Sequence, residues 1–139
     1  MSVGGLSTVD KLHEEEMMAT ILIADDASFM RQMIREIIEP EGYEVVCEAN
    51  NGVEAVERFE EFTPDLVAMD IVMPKRSGID AVKTILTRYP KARIVMCSAL
   101  GQETLIMESL NAGALDFIVK PFKPESVLST LERILEKEL

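Results

Sequence analysis

The sequence predicts an α/β fold: a five-stranded parallel sheet covered on both faces by five helices. Three observations carry that expectation. Five short apolar runs recur along the chain, each continuous enough for a strand buried on both faces. Segments with apolar residues at helical spacing separate them. Proline and glycine stand at the joints.

The regular pattern starts at Thr20. Ile21-Leu22-Ile23-Ala24 reads as the first strand. Phe29, Met33, Ile34, Ile37 and Ile38 mark the first helix, which Pro40 and Gly42 end. Tyr43 to Ala49 is the second strand, and Asn51-Gly52 reads as a turn. Val53, Val56, Phe59 and Phe62 mark the second helix, closed near Pro64. Leu66-Val67-Ala68-Met69 runs as a third strand into Asp70, and a loop with Pro74 and Gly78 follows. Ile79, Val82, Ile85 and Leu86 define a third helix that stops at Pro90. Arg93 to Cys97 is the fourth strand, and Glu103 to Asn111 the fourth helix, with Gly113 beyond its end. Leu115 to Val119 is the fifth strand. Pro124 suits the first turn of the last helix, whose stripe is Val127, Leu128, Leu131, Ile134 and Leu135. Strands alternating with helices imply parallel pairing.

Residues 1–18 lack this pattern. Gly4-Gly5, Ser7-Thr8 and Glu14-Glu15-Glu16 read as an N-terminal extension, flexible or with a helical turn or two, ahead of a domain over 19–139. His13 lies in that extension and receives no role. The 139 residues, 47% of them hydrophobic, suffice for one domain with its own core. With 14 basic and 25 acidic residues the formal charge is −11, which argues against a nucleic-acid surface and leaves room for a cation and for basic partners. Cys47 and Cys97 sit inside apolar runs and read as buried, reduced thiols. The sequence shows no signal-peptide pattern and no apolar stretch of about 18 residues for membrane insertion, so a cytoplasmic location is expected.

In such sheets the site lies at the carboxyl ends of the strands. The first strand ends in Asp25-Asp26, the third in Asp70, the fourth in Ser98-Ala99 and the fifth in Lys120-Pro121-Phe122. Three carboxylates, a hydroxyl and an ammonium are therefore expected to converge. Crowded carboxylates raise one another's pKa, and a divalent cation relieves the conflict. An all-oxygen donor set with room for water suits Mg²⁺, and Mn²⁺ could substitute. A carboxylate beside such a cation and a lysine can attack phosphorus. Asp70 is the candidate nucleophile because it ends the central strand, between the acidic pair and Ser98. Singly, each feature has a plainer reading, such as a turn or helix cap at Asp26 or Ser28; their joint placement at four strand ends is what carries the argument.

These residues resemble the receiver domains of two-component response regulators. The likeness covers about Thr20 to Leu135 and rests on Ile-Leu-Ile-Ala-Asp25-Asp26, Met69-Asp70-Ile-Val-Met73-Pro74, Gly78, Cys97-Ser98-Ala99 and Phe117-Ile-Val-Lys120-Pro121-Phe122. It implies the flavodoxin-like doubly wound strand order 2-1-3-4-5. It implies that Asp70 accepts phosphate from a histidine kinase. Asp26, Asp70 and the Val72 backbone carbonyl would bind Mg²⁺, with Asp25 acting mostly through water. Ser98, Ala99 and Lys120 would receive the phosphoryl group, Phe117 would rotate inward, and Lys120-Pro121 is a cis-peptide candidate. The segments Ile21 to Arg31 and Met96 to Phe122 resemble the stand-alone chemotaxis regulators in particular. That implies as partners a chemotaxis histidine kinase, a flagellar motor switch protein or other protein target, and a phosphatase, with a monomeric chain.

Val72 and Leu100, two residues after Asp70 and Ser98, are apolar where receivers flank the path of the attacking water, so slow loss of phosphate is expected. A phosphorelay intermediate that hands phosphate to a histidine phosphotransfer protein is the alternative within signalling. An aspartyl phosphatase resembles Asp-x-Asp, but Val72 stands at the second acid. A flavin binder would need a Ser, Thr and Gly-rich first loop, where this chain has Asp-Asp-Ala-Ser.

Overall fold

The computed structural model describes residues 19–136; the extension expected over 1–18 lies outside the described residues, as does His13. Strands β1 (Thr20–Ala24), β2 (Glu44–Ala49), β3 (Leu66–Asp70), β4 (Ile94–Ser98) and β5 (Asp116–Val119) alternate with helices α1 (Ser28–Ile38), α2 (Gly52–Phe62), α3 (Gly78–Arg88), α4 (Glu103–Ala112) and α5 (Pro124–Glu136). All pairings are parallel and the order is β2-β1-β3-β4-β5, the doubly wound arrangement expected.

Strand alternation builds two cores. Leu22 and Ala24 of β1, Val67 and Met69 of β3, and Ile94 and Met96 of β4 face α2, α3 and α4. Ile21, Ile23, Leu66, Ala68, Val95 and Cys97 face Ile34 and Ile38 of α1 and Val127, Leu131 and Ile134 of α5. Both sheet faces are thus sealed, which is why the central strands read as unbroken apolar runs. Cys47 and Cys97 are buried free thiols.

Several helix ends show their local cause. After α1 a 3₁₀ turn over Glu39–Glu41 carries Pro40 and closes on Gly42 at φ 100°. The Asn51-Gly52 pair, expected as a turn, is instead the start of α2: Asn51 accepts from the Glu54 N–H at 2.8 Å, and the Glu54 carboxylate accepts from the Asn50 N–H at 2.9 Å. Gly52 is required by close approach, since a Cβ there would lie 2.0 Å from the Arg76 carbonyl oxygen. Ser77 caps α3 by accepting from the Asp80 N–H at 3.1 Å.

The apolar stripe of α1 is also corrected. Met30, Ile34, Ile37 and Ile38 meet the core, while Phe29, 66% exposed, and Met33 face away from it. They precede the contacting positions by one residue, about 100° round the helix. Phe29 sits besides in the first turn of α1. Val53 and Phe62 are likewise exposed on α2. Leu22→Ala is therefore expected to cost about 2–5 kcal/mol of unfolding free energy, and Phe29→Ala less than about 0.5 kcal/mol. Urea denaturation of both variants checks the contrast.

Candidate phosphoryl-transfer site at the strand ends

The ladder itself assembles the site. Asp25 continues β1 by donating its N–H to the Ala49 carbonyl at 3.0 Å. Ala24 pairs with Met69, so Asp25 arrives beside Asp70, the last residue of β3. Asp70 pairs with Cys97, and Ser98 with Val119. The Lys120 N–H then donates to the Ser98 carbonyl at 2.7 Å, which sets Lys120 at the same edge. Carboxylate oxygens of Asp25, Asp26 and Asp70 all lie within 4.8 Å of one another. The Lys120 ammonium stands 3.0 Å from Asp25 Oδ2 and 3.3 Å from Asp70 Oδ1. The peptide bond between Lys120 and Pro121 is cis.

Burial grades the three acids. Asp25 is 2% exposed, and its Oδ1 accepts from the Ala27 N–H at 2.9 Å. Asp70 is buried at the floor, and Asp26 is exposed at the mouth. Neither Asp26 nor Ser28 caps α1; the cap position is Ala27, with no side-chain cap. Burial and the neighbouring Asp25 charge push the Asp70 carboxyl up to about 6, against the pull of Lys120. Burial would lower the Lys120 pKa, but its hydrogen bond to Asp25 and the charges of Asp70 and Asp25 outweigh it, and the net shift is upward. The ammonium thus holds a site with more negative charge than it can balance. The donor set is all oxygen, crowded and open to water on the Asp26 side, which fits Mg²⁺ rather than an ion that prefers sulfur or imidazole.

The switch candidates lie around this cluster. Ser98 is fully buried, and among the described residues its hydroxyl has no hydrogen-bond partner. The Ala99 N–H donates to Gln102 Oε1 at 2.7 Å. Phe117 is 36% exposed and stands outside the buried core. Val72 and Leu100 are both exposed.

Four contributors escape a reading by strand ends. Arg31 donates to the Asp25 carbonyl oxygen at 2.6 Å and pairs with Glu48 at 2.6 Å, tying the acidic loop to β2. Burial would raise the Glu48 pKa, but Arg35 and Arg31 bond its carboxylate and hold it low. Gly78 packs on the backbone of Asp70: a Cβ there would lie 2.0 Å from the Asp70 carbonyl oxygen. Gln102 holds the loop after β4. Arg31 is six residues from Asp25, within one helix and its lead-in, and was the most readable of the four.

The chain belongs to the response regulator receiver domain family, whose model matches residues 21–132. Within it, the chain is a chemotaxis response regulator. It is 53% identical over 114 residues to the chemotaxis protein CheY of Thermotoga maritima, covering 82% of this chain and 95% of that one. It is 52% identical over 115 residues to CheY of Bacillus subtilis, covering 83% and 96%. Its fold matches a chain of the CheX–CheY–BeF3–Mg²⁺ complex from Borrelia burgdorferi with TM-score 0.80 at 36% identity, covering 84% and 88%. These relatives favour the chemotaxis reading over the phosphorelay intermediate. Among the described residues no helix is long and apolar enough to cross a membrane.

In Mg²⁺-free protein the folded state keeps the Asp70 proton up to about pH 6, while the unfolded chain releases it near 3.8. Stability therefore falls as pH rises through that window. Asp70→Asn removes the penalty, so its urea midpoint should exceed wild type at pH 7.5 and converge with it toward pH 4. Gly78→Ala should cost about 1–3 kcal/mol by overpacking against the Asp70 carbonyl, read in the same titration.

Proposed function

We propose that Asp70 accepts a phosphoryl group from the phosphohistidine of a chemotaxis histidine kinase and thereby switches the chain's protein partners. The single observation that carries this reading is the Lys120 ammonium within 3.3 Å of Asp70, inside a cluster of three carboxylates. An Asp70 oxygen forms a bond to phosphorus as the P–N bond breaks, and the imidazole nitrogen keeps the electron pair. Lys120 meets the charge spread over the equatorial oxygens. Asp26, Asp70 and the Val72 carbonyl would hold Mg²⁺, with Asp25 acting mostly through water. The ion, when bound, neutralises phosphoryl charge and orients its oxygens.

The Ser98 hydroxyl, buried without a partner among the described residues, is a ready donor to a phosphoryl oxygen, and the Ala99 amide, which donates to Gln102, a second once it is released. A phosphoryl group brings about −1.5 to −2 charge and strong acceptors to this spot. Movement of Ser98 toward it leaves room for Phe117 to turn inward from the surface. The face of α4, β5 and α5 then alters, and the targets are a flagellar motor switch protein, the kinase and a phosphatase. The BeF3 and Mg²⁺ in the Borrelia complex, and its CheX partner, support a site and a partner of this kind. Val72 and Leu100, exposed and apolar beside the pocket, disfavour an ordered attacking water and slow the loss of phosphate.

Incubation with Mg²⁺ and acetyl phosphate, followed by intact mass, should show a gain of one phosphoryl group that Asp70→Asn abolishes. No gain in the wild type would refute the assignment. Val72→Asn with Leu100→Gln should speed decay of the phosphorylated form; an unchanged decay rate would remove the role given to these two residues.

A further inference from the structure

The loop after β4 carries a bond that the proposed chemistry has to break. Ala99 donates its N–H to Gln102 Oε1 at 2.7 Å. Gln102 occupies the cap position of α4, yet its side chain caps no helical N–H there and instead reaches back across the loop. Leu100 and Gly101 lie between them; Gly101 has φ 88°, and among the described residues no atom beyond its chain neighbours lies within 4 Å of where its Cβ would be. So a side-chain acceptor reaches across the turn at Leu100 and Gly101, over an unobstructed glycine. Next to it, the Ser98 hydroxyl is fully buried and unpartnered.

We infer that Gln102 is an intramolecular latch, whose carboxamide oxygen occupies the Ala99 amide in place of a phosphoryl oxygen and holds the loop in its resting form. This rests on the reading above that Ser98 and Ala99 receive the phosphoryl group. The neighbouring donors are in opposite conditions: Ser98 lacks an acceptor, and Ala99 has a borrowed one. A phosphoryl group on Asp70 gives Ser98 the missing acceptor and competes with Gln102 for Ala99. An anionic oxygen is the stronger acceptor, so it displaces a neutral carboxamide, and the cost of release lowers the site's affinity. Gln102 touches no reacting atom; it is a positioning residue that acts through the Ala99 amide.

The latch makes removal of a side chain improve the site. With the full chain and Mg²⁺, BeF3⁻ binding measured by calorimetry should tighten in Gln102→Ala and Gln102→Met, by about the worth of one neutral hydrogen bond, 2- to 10-fold. The initial rate of phosphorylation by acetyl phosphate should rise by a similar factor. Gln102→Glu keeps the acceptor, strengthens it and adds a negative charge at the start of α4. That charge should preserve or raise the melting temperature while weakening BeF3⁻ binding below wild type. A merely structural Gln102 would lose binding and melting temperature together in all three variants. Equal or weaker BeF3⁻ binding in both Gln102→Ala and Gln102→Met, with folding intact by circular dichroism, would overturn the latch. Failure of the wild type itself to take up BeF3⁻ or phosphate would instead overturn the assignment of the site, and the latch with it.

Discussion

Everything at the functional end depends on one electrostatic constraint: parallel strands in register place like charges together, and one ammonium holds them. A β-ladder fixes neighbours to within a few ångströms and cannot spread Asp25 and Asp70 apart without breaking β1 from β3. The repulsion is thus built into the backbone rather than into adjustable side chains. Lys120 bonds both acids at once, and its own position is fixed by the Lys120 N–H to Ser98 carbonyl bond. It offsets only part of the combined effect of burial and the Asp25 charge, so the Asp70 carboxyl stays pushed up to about 6. A site left with surplus negative charge in a half-buried pocket attracts a divalent cation without needing a purpose-built cage.

How much of this was readable from sequence follows from where information is local. Strand alternation and helical spacing are local, so ten elements came out in order, with errors of a residue or so at their ends. Asp25, Asp70, Ser98 and Lys120 were readable because parallel α/β sheets collect their strand ends at one edge. What was not readable depends on close approach between distant segments. Nothing near Gly52 says that it faces the Arg76 carbonyl, and nothing near Gly78 says that it lies against the Asp70 carbonyl. The Asn51-Gly52 pair has a strong turn signature, and only the following Glu54, completing the reciprocal cap, marks a helix start. Phe29 was misplaced because hydrophobicity tells which residues prefer burial, not where the covering layer ends.

The parity of the sheet explains how a charge at Asp70 can be felt on the surface. Met96 packs toward α2, α3 and α4, so Ser98, two residues on, points to that same side. Met96 pairs with Phe117, and Ile118 faces the opposite core, so Phe117 also lies on the Ser98 side. Ser98 and Phe117 are therefore diagonal neighbours on one face of adjacent strands. A shift of one changes the space open to the other without any relay through the core.

The helix over that face is the least anchored. Ser109 is the one buried residue of α4, and its hydroxyl is occupied by the Leu105 carbonyl at 2.8 Å, whereas α3 buries Ile79, Ala81, Val82 and Ile85. Leu105, Ile106 and Leu110 pack only partly against the core, and Met107, Leu115, Phe117 and Val119 stay exposed nearby. Elements with little buried apolar area are those that move at small cost. Against that stands Ser98, whose buried hydroxyl has no partner among the described residues. The resting state thus stores its unsatisfied donor beside its cheapest movable element. Under the proposed function, a new acceptor at Asp70 would supply the first and shift the second. The two-sided packing that makes the fold stable would then confine the proposed change to the face of α4, β5 and α5.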